Sequence, residues 1–315
     1  MKLLSFNVKG YERVGTLIGE GRILDLPGAY SILFGHQAPS LLYSLKALIE
    51  SQARGLDLAR LIETLSMKEL KANSPLGEKL AGEAVFGFES VAFNPPVKSP
   101  SKILCMAVNY WSHAREMNVE PPESPYLFIK LASTLVGHKS NIIIPRGAEK
   151  PDHEVELAVV IGRKGKYIDR GKAMDYIFGY TILNDVTLRE RQAPLKKGAR
   201  LGIRWLPAKN FDTSAPLGPL IVTADEIEDP HNLKLQLKVN GELRHDGHTS
   251  DMIFKIPEII EAASEGLTLE PGDIISTGTP SGVGAATGKF LRHGDLIEAW
   301  IENIGSLENT VVYEV

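Results

Sequence analysis

The sequence predicts a mainly β fold with some α, in which a small α+β N-terminal domain (1–95) precedes a larger β-rich domain (96–315). Three observations predict it. From Lys102 onward, apolar runs of strand length follow one another, from "KILCMAV" to "DLIEAWIEN", with turn residues between them. In one of these runs Leu233, Leu235, Leu237 and Val239 alternate with Lys234, Gln236, Lys238 and Asn240, the period-two mark of a sheet with one wet face. Helical patterns are few and do not alternate regularly with strands, which argues against a doubly wound sheet and for a roll or barrel.

The elements follow in chain order. "KLLSFNV", "RVGTLIG" and "EGRILDL" read as short strands, the last entered through a Gly19-Glu20-Gly21 turn. Leu41, Leu42, Leu45, Leu48 and Ile49 have helical spacing, Gly55 is read as a break, and Leu58, Leu61, Ile62 and Leu65 resume the pattern. "FNPPVKSPSK" holds three prolines in ten residues and marks a connector, which places the boundary near residue 95. Beyond it, "PYLFIK", "NIIIP", "EVELAVVIG", "IFGYTILND", "PLIVT" and "DIISTG" are read as strands. Asn240-Gly241 is a hairpin turn of type I′. Helices are expected over about 111–118 and from about Pro257 to Ser264.

Composition narrows the function classes. The 315 residues are 43% hydrophobic and 23% charged with a net charge of −4, and no long basic stripe suggests a nucleic-acid partner. No apolar stretch approaches the ~20 residues that span a bilayer, and "MKLLSFNVKGYERVG" lacks the apolar stretch of a signal peptide. The single cysteine, Cys105, lies in the apolar run "ILCMAV" and is read as a small buried hydrophobe. The expected compartment is a reducing cytoplasm.

The chemistry is carried by acids in apolar strands. In "PDHEVELAVVIG", Glu154 and Glu156 stand two apart and therefore on one face of a strand, where two carboxylates can converge on a cation. The alternative for such a pair is an exposed face, or neutralisation by Arg and Lys partners. "YTILND" is a second apolar strand ending in an acid, Asp185, a third oxygen ligand if the two strands are neighbours. Three carboxylates without His or Cys describe a hard-cation site that suits Mg²⁺ or Mn²⁺, with Ca²⁺ possible.

The stretches "EVELAVVIG", "GYTILNDVT", "AKNFDTSAPLGPLIVTADEI", "VNGELRHDGHTSDMIF" and "EGLTLEPGDIISTGTPSGVG" resemble, in order, the signatures of the fumarylacetoacetate hydrolase superfamily. The resemblance runs from about residue 100 to the C-terminus. It implies a mixed β-sandwich roll, a homodimer, and Glu154, Glu156 and Asp185 as divalent-metal ligands. It further implies a catalytic dyad in His113 and Glu116 of "NYWSHAREMN", on a lid flanked by the Pro-rich "NVEPPESP". Taken alone, an i, i+3 His–Glu pair is more often a surface contact than a catalytic one. Lys209 in "WLPAKNFD" matches the family lysine that faces the metal, and Gln192 and Thr279 match substrate-contacting positions. In "STGTPSGVG" backbone N–H groups and hydroxyls are suited to cradle a carboxylate. His245 and His248 are read as loop structure near the site.

Two departures concern the substrate: "TLRE" where many relatives have Ser-Ala-Arg-Asp, and Arg204 where many have glutamine. Arg204 is read as a structural ion-pair partner or, second, as a ligand for a distal carboxylate. The activities implied are hydrolytic C–C cleavage of an acylpyruvate and isomerisation of a 2-hydroxyhepta-2,4-diene-1,7-dioate-type dienol. Sugar-acid dehydration, and decarboxylation or tautomerisation of oxaloacetate, are alternatives on the same fold. A ligand-binding scaffold without chemistry is the reading from another class.

Overall fold

A computed structural model describes residues 1–8, 10–19, 21–193 and 202–315. Strands β1 (Lys2–Val8), β2 (Tyr11–Ile18) and β3 (Arg22–Asp25) come first. Glu20 of the expected turn lies outside the described residues. Helices α1 (Leu26–Phe34), α2 (Leu45–Glu50), α3 (Ala53–Ala72) and α4 (Pro75–Glu83) follow, then β4 (Val85–Gly87) and β5 (Ala92–Phe93). The next stretch holds β6 (Ile103–Met106), α5 (Trp111–Glu116), β7 (Leu127–Lys130), β8 (Leu135–Val136), β9 (Asn141–Ile144) and β10 (Pro151–Asp152). After it come β11 (Val155–Ile161), β12 (Ile177–Asn184), β13 (Thr187–Leu188), α6 (Arg189–Gln192), α7 (Trp205–Lys209) and β14 (Ala215–Thr223). The chain ends with β15 (Lys234–Val239), β16 (Glu242–His248), α8 (Ile256–Ser264), β17 (Ile274–Ser276), α9 (Gly284–Thr287), β18 (Leu296–Ile301) and β19 (Gly305–Tyr313).

Two sheets stack, and no barrel closes. The larger sheet runs β4-β3-β2-β1-β14-β12-β11-β17-β6-β7, with β5 beside β1 and β8 beside β14. The smaller runs β16-β15-β18-β19-β9. Between them lies a core of Val155, Leu157, Val159 and Ile161 from β11 against Leu235, Leu237, Ile297, Ile301 and Val311, with α8 closing one side. The N-terminal strands continue the large sheet: Lys2 and Leu3 of β1 pair with Val222 and Ile221 of β14. The helices α1 to α4 bury Leu26, Leu48, Ile49 and Ile62 together with Ala158, Val160 and Leu183 of the large sheet. From Leu157 to Ile161, β11 is therefore covered on both faces and reads as a continuous apolar run. In β15 one face stays wet, as its alternation requires.

Asn240 and Gly241 have φ of 52° and 78°, the two left-handed residues of a type I′ turn. Gly55 does not break the helical segment. The break falls at Gln52, whose φ is 54°, and Gly55 sits within α3. Its glycine is needed for close approach, because a Cβ there would lie 2.6 Å from the Leu48 carbonyl of α2. Helix α3 extends to Ala72, and Ser74 caps α4, its hydroxyl accepting from the Gly77 N–H at 3.0 Å. Neither α4 nor β19 carries a strong apolar period, and neither is expected from the sequence.

Candidate active site

The alternation of β11 decides where its acids point. Odd residues face the inter-sheet core, so Glu154 and Glu156 share the other face with Ala158 and Val160. Glu154 and Glu156, at its N-terminal end, line a pocket of about 550 Å³. Strand β12 pairs antiparallel with β11, with Val155 opposite Asn184 and Glu156 opposite Leu183. The Asp185 N–H donates to the Glu154 carbonyl at 2.9 Å, which sets the third acid directly across from Glu154. All three carboxylates are buried, and one oxygen from each lies within 4.8 Å of the others.

Cations neutralise part of this cluster, as the sequence alternative allowed. Lys209, the last residue of α7, donates to Glu154 and, at 2.7 Å, to Asp185 Oδ2. Arg189 reaches Asp152 Oδ2 through Nε at 2.7 Å, Glu154 Oε1 through Nη2, and Gln192 Oε1 through Nη1 at 3.3 Å. Lys130, fully buried on β7, donates to the Lys209 carbonyl and to Ser214 Oγ at 3.2 Å. Its Nζ also lies 2.9 Å from Asp185 Oδ1, but off hydrogen-bond direction, so that oxygen is buried without a hydrogen-bond partner.

Four carboxylates, Asp152, Glu154, Glu156 and Asp185, thus face three cations. Burial pushes the Glu154 carboxyl up, but Lys209 and Arg189 outweigh it and hold the group well below the usual range. For Glu156 burial and the Asp185 and Glu154 charges act together, and it is pushed up to about 8. Burial alone would lower Lys209, yet Asp185 and Glu154 hold its ammonium above the ordinary lysine value. A divalent cation fits this donor set. The three carboxylates offer hard oxygens, Asp185 Oδ1 has the Lys130 charge beside it but accepts no hydrogen bond, and Glu156 has the Ser276 hydroxyl and the Gly278 N–H on Oε2 alone.

Helix α5 carries the other half of the site. His113 Nδ1 is 2.8 Å from Glu116 Oε1, and Glu116 Oε2 accepts from the Gly282 N–H at 2.8 Å. The helix N-terminus is capped in space by Asp251, whose Oδ2 accepts from the Ser112 N–H at 2.8 Å. His113, Lys209, Gln192 and Thr279 all line the pocket with Glu154 and Glu156, while Glu116 and Asp185 lie directly behind His113 and Lys209. Val119, Glu120 and Pro122 of the Pro-rich stretch also line it.

Several sequence expectations are refined. The donors of "STGTPSGVG" do hold carboxylates, but the protein's own, Glu156 and Glu116, while Thr279 Oγ1 donates to the Val155 carbonyl at 2.9 Å. His245 packs in a buried pair with His153, at 3.0 Å between ring nitrogens, and His248 accepts from the Ser250 N–H. Arg204 forms no ion pair among the described residues and does not line the pocket; its N–H donates to the Gln192 carbonyl and ties α7 to α6. Cys105 is buried, and burial pushes its thiol well up. Lys130, Arg189 and Asp152 were not expected. A lysine at an inward position of "LFIK", in phase with Phe128, is the one signal that could have found Lys130.

Comparison with known proteins places the chain in a family. Residues 102–312 match the family model described as fumarylacetoacetate (FAA) hydrolase, C-terminal. An uncharacterized protein of Pyrococcus abyssi is 55% identical over 215 residues, 68% of this chain and 92% of that protein. A mitochondrial oxaloacetate tautomerase of Bos taurus is 47% identical over 70% of each chain. A crystal structure of maleylpyruvate hydrolase from Sphingobium sp. SYK-6, in complex with manganese(II) and pyruvate, superposes with a TM-score of 0.72. It is 30% identical and covers 100% of both chains.

Proposed function

The chain belongs to the fumarylacetoacetate hydrolase family, a family of enzymes, and on that premise we propose that it is a divalent-metal-dependent enzyme acting at the enol or enolate of a 2-oxo acid. One observation carries the reading: a proton-transfer pair and a buried cluster of three acids open onto one pocket. Glu154, Glu156 and Asp185 would hold the ion, magnesium or manganese by the hardness of the donors, with calcium third. When bound, such an ion polarises the carboxylate and keto oxygens of a 2-oxo acid and stabilises the charge of its enolate.

The remaining work falls to side chains. Lys209 contributes a fixed positive charge where that negative charge develops. Glu116 engages His113 Nδ1, which leaves Nε2 as the nitrogen that gives or takes a proton. Gly282 pins the second oxygen of Glu116, so the imidazole keeps its orientation. Gln192 and Thr279 stand on the pocket wall to position the substrate.

Proton transfer beside the keto group is common to hydrolytic cleavage of an acylpyruvate and isomerisation of a dienol diacid, the two outcomes we favour. The Bos taurus relative supports a second reading, tautomerisation of oxaloacetate. An ultraviolet assay of the Mn²⁺- or Mg²⁺-loaded protein separates these, run on acylpyruvates, a dienol diacid and freshly dissolved enol-oxaloacetate. The expected result is loss of enol absorbance that stops with EDTA. Turnover indifferent to EDTA, or none on any member of the panel, would end the proposal.

A further inference from the structure

We propose that helix α5 belongs to the rigid body of the protein, so that His113 stands in its working place before metal or substrate binds, and that Asp251 is the positioning residue that keeps it there. That role rests on the reading of His113 and Glu116 as the proton-transfer pair. It departs from the lid that the family resemblance implies for them.

Two loops clamp α5 along its length. From one side comes the segment 249–254. Asp251 Oδ2 accepts from the Ser112 N–H at 2.8 Å, satisfying a first-turn donor that has no carbonyl partner within the helix. Tyr110 forms a bridge with Met252, and the Ile253 N–H donates to the Asn109 carbonyl at 2.8 Å. From the other side comes the segment 276–282. The Ser281 N–H reaches Ser112 Oγ at 3.3 Å, and the Gly282 N–H reaches Glu116 Oε2 at 2.8 Å. Asn109 joins the two loops at the helix entry. Its Oδ1 accepts from the Phe254 N–H at 2.9 Å, and its Nδ2 donates to the Phe254 and Thr277 carbonyls at 3.1 and 2.8 Å. Asn109 and Tyr110 are fully buried, so this junction is sealed from water. The approach is close as well, since a Cβ on Gly278 would lie 2.9 Å from the Asn109 Cβ.

The second loop also sets where the helix stands relative to the acids. Its Ser276 hydroxyl and Gly278 N–H hold Glu156 Oε2, and its Gly282 N–H holds Glu116. A short run of backbone, 278–282, thus connects the metal half of the site to the proton-transfer half. At the other end the helix closes on itself. The Val119 N–H donates to the Ala114 carbonyl at 3.0 Å, and Asn118 turns left-handed with φ of 51°. None of these contacts involves a ligand. A segment that closes over the substrate would start beyond Val119 and leave His113 where it is. Asp251 acts through the Ser112 N–H and not through charge, because Arg115 lies 3.9 Å away and is 70% exposed.

The test is hydrogen exchange, read by mass spectrometry on peptides covering 111–117, together with kinetics on a turned-over 2-oxo acid. In the metal-free wild type these amides should exchange at least about 100-fold more slowly than in an unstructured peptide, and Mn²⁺ with pyruvate should change the rate by less than about twofold. Asp251→Ala should speed the exchange about fivefold, as loss of a cap does. It should lower kcat about tenfold, because a displaced imidazole transfers protons less often, with KM and Mn²⁺ affinity within about twofold. Asp251→Asn keeps an acceptor and should restore both exchange and kcat. Amides of α5 that are unprotected in the metal-free protein and slow down with Mn²⁺ and pyruvate overturn the proposal. An unchanged kcat in Asp251→Ala overturns the positioning role. If that variant does not fold, the wild-type comparison decides. No turnover of any 2-oxo acid ends the reading of the site, and the exchange of the metal-free wild type then decides whether α5 is fixed.

Discussion

Glu156 has one carboxylate oxygen held by Ser276 and Gly278, and its environment pushes it up to about 8. In the metal-free protein the folded state therefore keeps this proton more tightly than the unfolded chain does. Stability from this group is present below the ordinary glutamate value and is lost as pH rises from there through about 8. A cation that needs the carboxylate must displace that proton. Affinity for Mn²⁺ should climb by about tenfold per pH unit and level off above about 8, as titration calorimetry across pH would record. Glu156→Gln should remove the pH dependence and most of the affinity while leaving the metal-free protein folded. His113→Asn should lower kcat by about 10²–10⁴-fold with Mn²⁺ affinity unchanged, since the imidazole moves protons and holds no metal in this reading. Loss of affinity in that variant would contradict the division of roles.

Strand β11 and helix α3 show how an element's partners decide what a residue is for. On β11 the same alternation that sends Leu157 and Val159 into the inter-sheet core sends Glu154 and Glu156 to the pocket. A one-residue slip in register would exchange acids for leucine and valine. On α3, Gly55 reverses a general expectation. Alanine normally stabilises a helix interior over glycine by about 1 kcal/mol. Here a Cβ would lie 2.1 Å from Ser51 Oγ, which can swing away, and 2.6 Å from the Leu48 carbonyl, which cannot without moving α2. Gly55→Ala should therefore lower the thermal midpoint, by an amount matching about 1–3 kcal/mol. A rise in the midpoint would show that α2 and α3 part easily.

At the scale of the whole molecule, the site joins strands, loops and short helices from across residues 106–279, so whatever binds it ties the fold together. Saturating Mn²⁺ at about 100 times its dissociation constant should add roughly 2.7 kcal/mol of stability, seen as an upward shift in calorimetry that EDTA reverses. Strand β7 ends the large sheet, and Ile129 and Leu131 stand exposed along it with Leu206 of α7 nearby. Such a patch on a sheet edge supports the proposal of a homodimer. Light scattering should give twice the chain mass for the wild type and a shift to the monomer mass for Ile129→Lys with Leu206→Lys. A monomeric wild type would remove the proposal. No described helix is long and apolar enough to cross a membrane.

What the sequence determined by itself was periodic or collinear. The wet face of β15, the Asn240-Gly241 turn, helices α5 and α8, and the shared side of Glu154 and Glu156 follow from spacing, because a strand or helix maps neighbours in sequence onto faces at fixed intervals. The family signatures added the correspondence of His113, Glu116, Asp185 and Lys209. Tertiary structure decided the rest. That Lys130 lies beneath Asp185 and Lys209, that Arg189 joins Asp152 to Glu154, and that Phe128 and Trp205 stack depend on contacts between residues 35 to 79 positions apart in the sequence. No local period records such contacts. They exist because two sheets and a layer of helices, once packed, leave one face of β11 uncovered at its N-terminal end, and the charges that gather there must neutralise one another away from water.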